Sequence, residues 1–241
     1  MAYTKILIPD HVGPGVRWVV REALDTRLRD VHALLRMPIP EVEITATGHF
    51  TIVDTLLECI EGVSAVLFPR TGNSSDAFLE CMKRHYSVEG NEPEGALPTD
   101  TVATELLFTF RHSLQHCLGL ALKSPDKQGI REAVVMPREL LVFRETFSLS
   151  EGQVESLEKG AWPAGLNRPT LQMQGSNMML LAVEALYVGT RRLVASVLAD
   201  ASAMGYAEQS LQEYRGKQLS RYAAMHEIFH NALDAQLSQR D

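Results

Sequence analysis

Apolar residues recur at helical spacing through most of this chain, and one long segment interrupts the pattern. The interruption, residues 124–175, is rich in glycine and proline, which end helices. The predicted helices cover residues 15–36, 51–68, 75–86, 101–123, 176–201 and 206–238. The fold class that follows is mainly α, a helical bundle with a small irregular or β-containing insertion.

We expect the bundle to form a single helical domain over residues 1–241. A short α/β segment, about residues 1–47, would precede the helical core. The core would comprise residues 51–123 and 176–238, with the irregular excursion 124–175 between its two parts. The domain is long enough to bury a sizeable hydrophobic core.

Short strands are predicted where the helical pattern is missing. Lys5–Pro9 and Glu41–Thr47 read as strands near the start of the chain, and Ala133–Met136 with Leu140–Phe143 reads as a hairpin. The longest apolar run, Met178–Val188, is interrupted by Glu184 and is shorter than the ~20 residues that a membrane-spanning helix needs. We therefore expect it to be a helix that is buried on most sides.

Two helices carry expectations about particular side chains. The periodicity of residues 15–36 places Trp18 on one apolar side with Leu24 and Leu28. Arg191 and Arg192 follow the apolar run and are expected to be solvated. Neither set of residues by itself predicts a catalytic or binding activity.

Composition limits the function classes. The formal net charge is −7, which argues against broad binding to duplex DNA but leaves room for a small local basic site. Cys59, Cys81 and Cys117 have no paired spacing, so we expect reduced, buried thiols in a cytoplasmic protein. The apolar run near Met1 is too short for a secretory signal, and no membrane segment is expected.

The helix predicted at 101–123 has one polar face that bears titratable groups. His112 and His116 are one turn apart on that face, and Arg111 lies at its edge, roughly 140° around the helix from His116. An arginine holds phosphate well, and a histidine can move a proton near neutral pH. This combination suits an RNA phosphodiester, whose 2′-hydroxyl must lose a proton and whose leaving oxygen must gain one.

The segment Arg111-His112-Ser-Leu-Gln-His116 resembles the R-polar-x-x-x-H motif of the HEPN superfamily. Members of that superfamily are compact helical bundles that often dimerise and cut RNA without metal. The resemblance implies that Arg111 and His116 are the functional positions and that His112 supports them. It also implies RNA as the partner, a homodimer as the assembly and no cofactor.

A second motif, His226-Glu227-Ile-Phe-His230, resembles the signature of the zincin metallopeptidases. In that pattern two histidines one turn apart bind zinc, and the glutamate activates a water molecule. Asp234 stands at an unusual offset for a third ligand, so that ligand would come from elsewhere in the fold. The alternative function is therefore a zinc-dependent hydrolase that uses His226, Glu227 and His230.

Two further interpretations remain open. His112, His116, His226 and His230 would form one metal site if their two helices packed together. The chain would instead be a non-catalytic helical interaction module if these residues are only solvated or packed helix positions. The acidic balance of the chain suits such a module.

Overall fold

The computed structural model describes residues 3–36, 46–68, 73–86, 97–111, 139–143, 169–174 and 178–217. Its elements in chain order are α1 (Pro14–Val19), a π-helical stretch π1 (Val20–Leu24), α2 (Asp25–Arg36), α3 (Ala46–Gly62), π2 (Val63–Leu67), α4 (Ser74–His85), α5 (Thr99–Glu105), π3 (Leu106–Arg111), β1 (Glu139–Phe143), β2 (Leu171–Gln174), β3 (Met178–Ala182), α6 (Val183–Ala199) and α7, the helical residues 201–217. The predicted fold class is confirmed. Helices dominate, and a small sheet accompanies them.

The first helical run begins at Pro14, in the first turn of α1, where a missing N–H costs nothing. Its buried stripe is Val16, Val20, Leu24, Leu28, Val31 and Leu35. Most of these residues are four positions apart, and in an α-helix that spacing drifts by about 40° per step. The wider turn of π1 offsets the drift and keeps the stripe pointed at the core.

The second and third helices match their predictions closely. The helix expected at 51–68 is α3 with π2, and it begins earlier, at Ala46. The helix expected at 75–86 is α4, which starts at Ser74 because the Asn73 side chain accepts a hydrogen bond of 3.0 Å from the Asp76 N–H. α3 packs against α2 and α6, and α4 packs against α5 and α6.

The sheet has the strand order β1-β3-β2. β1 runs parallel to β3, with Glu139 opposite Met178, and β2 runs antiparallel to β3, with Leu171 opposite Leu181. The prediction that Leu140–Phe143 is a strand is therefore confirmed, and its partner in the described sheet is β3. The hairpin strand expected at Ala133–Met136 lies outside the described residues.

Helix α6 is the central element of the core. Every residue from Val183 to Thr190 is buried, as expected for a helix covered on most sides. A methyl group at Gly189 would overlap the ring of Tyr86, a buried residue whose hydroxyl lies 2.7 Å from Thr170 Oγ1. Glycine at position 189 is thus what lets the end of α4 pack against α6.

Several boundaries differ from the predictions. Residues Lys5–Pro9 form no strand but run as an irregular segment over the helices, and residues 46–47, predicted as the end of a strand, open α3. The helix predicted at 176–201 starts as a strand, β3, and becomes helical only at Val183. It ends at Ala199, and the side chain of the next residue, Asp200, accepts hydrogen bonds from the N–H groups of Ser202 and Ala203. These residues open α7, which begins at 201 and not at 206 as predicted.

Within the ranges given above, no helix is long and apolar enough to cross a lipid bilayer.

Candidate functional site

Arg111 ends π3, and its guanidinium is occupied. Its Nε donates to Glu61 Oε2 at 3.0 Å, and its Nη2 donates to Glu61 Oε1. Only 13% of the Arg111 side chain and 28% of the Glu61 side chain are exposed. This two-point pairing is the strong form of an arginine–carboxylate contact. Arg111 would have to leave Glu61 before it could bind a phosphate.

The other predicted site residues lie outside the described residues. These are His112 and His116 of the HEPN-like motif, and His226, Glu227 and His230 of the zincin-like motif. Their roles, the two metal sites and the homodimer therefore stay predictions. Within the described part of the chain, no group of three histidine, cysteine, aspartate or glutamate side chains could hold a metal ion.

The segment 3–12, here called the N-terminal strap, is tied down by side chains of three helices, α1, α2 and α6. Asp25 Oδ1 of α2 accepts hydrogen bonds from the Tyr3 hydroxyl at 2.8 Å and from the Ile6 N–H at 3.0 Å. Arg191 of α6 donates to the Thr4 carbonyl at 2.8 Å and lies over the Tyr3 ring, 5.2 Å from its centroid. The strap is therefore fixed without any strand pairing.

Arg191 also contacts Tyr187, on the same helix and one turn earlier. Its Nη1 donates to the Tyr187 hydroxyl at 3.2 Å, and His32 Nδ1 lies 3.4 Å from that hydroxyl. Burial raises the pKa of Tyr3 and of Tyr187, although the positive charge of Arg191 opposes the shift. Both hydroxyls stay neutral at physiological pH, so neither tyrosine is a general base, and the cluster ties the strap to the core.

A cavity of about 490 Å³ lies between the strap and the helical run from Arg17 to Arg29; we call it the N-terminal groove. The strap side of the groove is largely apolar, with Ile6, Leu7 and Ile8. Its ionisable lining residues are Lys5, Arg17, Arg21, Glu22, Asp25 and Arg29. Cations therefore outnumber carboxylates here, although the whole chain carries a net charge of −7.

Two of these charged residues already have protein partners. Arg17 donates to the carbonyls of Val12 at 2.8 Å and Pro9 at 2.7 Å, and Asp25 holds the strap as described above. Lys5, Arg21 and Arg29 form no hydrogen bond or ion pair within the part of the chain that the structure describes. Each of these three side chains is exposed at the groove. The groove therefore has cationic groups available for an anionic ligand.

Aromatic and aliphatic side chains flank those cations. Trp18, one turn before Arg21 in α1, is 66% exposed, and Leu7 in the strap is 78% exposed. The prediction that Trp18 lies on the apolar side of its helix is wrong, because the buried stripe runs through Val16 and Val20 instead. The groove, with Leu7 in its lining and Trp18 next to Arg17, thus combines positive charge with exposed apolar surface.

A serine and a histidine come together elsewhere, between α4 and α6. His85 Nδ1 lies 3.0 Å from Ser196 Oγ, and burial lowers the pKa of His85 despite the opposing charge of Asp200. His85 Nε2 is buried without a hydrogen-bond partner. Because Nε2 has no partner, no carboxylate orients the imidazole, so the described residues do not complete a nucleophile–base–acid triad at Ser196.

The described cysteines are unreactive thiols. Burial raises the pKa of Cys59 and of Cys81 to about 12, so both remain thiols at neutral pH. Both are free and buried, as the spacing of the cysteines predicts.

Arg191 and the groove cations are the site residues that sequence reasoning missed. Arg191 was expected to be solvated, but it is partly buried and holds the strap. A run with Arg17, Arg21 and Arg29 in one helix was a visible signal of local positive charge. What could not be read was that the strap would fold over those residues and form a groove.

Comparison with known proteins assigns no family or function to the chain. No protein-family model matches the chain, and neither a curated protein nor a solved structure shows a significant match.

Proposed function

We propose that this protein binds RNA and that the N-terminal groove is its main contact surface. The observation that carries the proposal is the set of three exposed cations, Lys5, Arg21 and Arg29, which line one cavity and have no partner in the described protein. A cavity of about 490 Å³ is in the size range of small-molecule and nucleotide sites. The HEPN-like motif at Arg111–His116 supports the same partner from an independent region of the chain.

The positive charge of the groove favours RNA binding, and this local effect outweighs the negative net charge of the whole chain. At physiological ionic strength charges are screened over about 8 Å, so a phosphate in the groove responds mainly to the nearest side chains. Arginine suits that contact because its planar guanidinium matches the oxygens of a phosphate. The acidic remainder of the surface would limit the contact to a short stretch of RNA and would oppose broad binding to duplex DNA.

The test is binding of a short fluorescein-labelled oligoribonucleotide, measured by fluorescence anisotropy over a range of salt concentrations. We expect the triple variant Lys5→Ala/Arg21→Ala/Arg29→Ala to bind about a hundredfold more weakly at low salt. The slope of log K against log salt should fall by about 2, since each lost contact to a single strand contributes roughly 0.7.

The matched control is Arg27→Ala/Lys83→Ala/Arg84→Ala. It makes the same change in net charge but removes cations that pair with Glu58, Asp100 and Glu80. We expect the control to bind RNA nearly as well as the wild type. Equal losses in the two triple variants would mean that binding follows net charge and not the groove, and absence of binding by the wild type at low salt would overturn the proposal.

RNA cleavage is a separate prediction that depends on the HEPN-like motif. It requires that Arg111→Ala and His116→Ala each abolish cleavage while circular dichroism shows unchanged helicity. Activity that persists in both variants would exclude this motif as the active site. Binding at the groove does not depend on that outcome.

A further inference from the structure

We infer that the protein selects single-stranded RNA by stacking an unpaired base on Trp18, which adjoins the lining residue Arg17 but does not itself line the groove. This inference rests on the proposed function and names the substrate class of the same site. Trp18 is 66% exposed in a helix whose buried stripe does not include it, so its ring is available to a ligand. It stands immediately after Arg17 and one turn before Arg21, both of which line the groove.

The spacing of ring and charges fits one nucleotide and its neighbours. Residues three apart on a helix are neighbours on its surface, so the Trp18 ring and the Arg21 guanidinium border the same patch. Helical side chains lean towards the N-terminus of their helix, which directs Arg21 back towards Trp18. A base on the ring would thus place its phosphate near Arg21, with Lys5 on the facing strap.

Stacking requires a base that is free of its own helix. In duplex RNA the bases are stacked on each other, and proteins reach mainly phosphates and 2′-hydroxyls. An exposed aromatic beside unpaired cations is the arrangement that single-strand binding proteins use, without hydrogen-bond reading of sequence. The groove should therefore prefer single strands and tolerate many sequences.

The concave shape favours RNA over a membrane surface. Exposed tryptophan and leucine beside basic residues can also bind anionic lipid. A lipid surface, however, meets a protruding face, whereas Lys5, Arg21 and Arg29 line a cavity of about 490 Å³. A phosphate beside a base stacked on Trp18 can enter such a cavity, and a bilayer cannot.

The experiment compares one oligoribonucleotide as a single strand and as a duplex with its complement, using full-length protein. We expect Trp18→Ala to weaken single-strand binding about tenfold, within the range for base–aromatic stacking, and to leave duplex binding unchanged. Trp18→Phe should retain most of the affinity because it keeps an aromatic face. Tyr206→Ala is the control: this residue is 44% exposed and lies about 200° around α7 from Glu208, the residue that contacts α1.

The outcomes separate this inference from the proposed function. If the wild type binds no RNA, both fail. If RNA binds and the triple groove variant loses affinity, but Trp18→Ala does not, only the stacking inference is overturned. Equal affinity for single strand and duplex would also overturn it. So would a Trp18→Ala effect confined to vesicles of phosphatidylserine and phosphatidylcholine, or to the sedimentation of the protein as a dimer.

Discussion

The HEPN-like arginine and the arginines of the N-terminal groove are chemically identical groups in opposite situations. Arg111 is largely buried and makes a two-point contact with Glu61, whereas Arg21 and Arg29 are exposed and have no partner in the described protein. A sequence motif can identify an arginine, but the fold determines whether its guanidinium is already paired with a carboxylate of the same protein. The difference predicts that Arg111 contributes to folding, while the groove arginines contribute to ligand binding.

The largest expected effect is on folding stability. Arg111→Ala leaves the partly buried Glu61 carboxylate without its cation, so we expect the free energy of unfolding to fall by about 2 kcal/mol. Arg21→Ala, an exposed residue without partners, should change it by less than about 0.5 kcal/mol. Urea denaturation followed by circular dichroism measures both. Equal stability of the two variants would remove the distinction between the regions.

The next effect concerns the strap, which forms one wall of the groove. Asp25→Ala removes the acceptor for the Tyr3 hydroxyl and the Ile6 N–H, so we expect it to lower the free energy of unfolding by about 1.5 kcal/mol and also to weaken RNA binding. Asp30→Ala, an exposed carboxylate on the same helix, is the control. A loss of stability with undiminished RNA affinity would show that the ligand does not need the strap wall.

Substitutions should affect RNA affinity in the reverse order: a groove arginine should matter more than Arg111. We expect Arg29→Ala alone to weaken single-strand binding about fivefold at low salt, because it removes one available phosphate contact. Arg111→Ala should change the affinity by less than about twofold, since its guanidinium is already bound to Glu61. Anisotropy titrations at one salt concentration suffice. A larger loss in Arg111→Ala would shift the main contact to the HEPN-like motif.

The smallest effect tests the N-terminus of α1, which precedes the groove residue Arg17. Glu208 accepts hydrogen bonds from the Gly15 and Val16 N–H groups there. Burial raises the pKa of Glu208, but these bonds and one from Gln212 outweigh it, so the pKa lies below its ordinary value. The stabilisation is therefore present above the ordinary pKa of a glutamate and is lost as pH falls through the lower, folded-state pKa.

We expect this pH-dependent contribution to be about 0.5 kcal/mol. It should be visible as a difference between wild type and Glu208→Gln in urea denaturation from pH 6 to pH 3. Parallel pH profiles would contradict it. Because Glu208 already occupies this helix terminus, an RNA phosphate in the groove depends on the side-chain cations.

The helical bundle could be predicted because its signals are local. Proline at the start of α1, the Asn73 cap of α4 and the apolar stripes of α2 and α3 all act within a few residues. The strand at Met178–Ala182 was missed because a short, wholly apolar run suits a buried strand and a buried helix equally. Its pairing with β1 and β2 comes from distant parts of the chain.

The candidate site was less accessible to prediction for the same reason. The helical positions of Arg21 and Arg29 follow from periodicity, but the groove exists because distant side chains, among them Asp25 and Arg191, hold the strap over them. Arg191 lies far along the chain from its partner Thr4. The ion pair between Arg111 and Glu61 likewise joins two helices, so it cannot be predicted from the motif alone.

The π-helical stretch from Val20 to Leu24 carries a consequence for insertions and deletions. Such a stretch is equivalent to one residue added to an α-helix. Removing one residue from it would restore α geometry and keep the two ends nearly in phase, because four α-helical residues turn the chain about as far as five π-helical ones. Removing Arg27 from α2 would instead rotate Trp18 by about 100° relative to Arg29, although every side chain of the groove would still be present. Comparing the two deletions is therefore a rotational test of whether ring and charge must share one face.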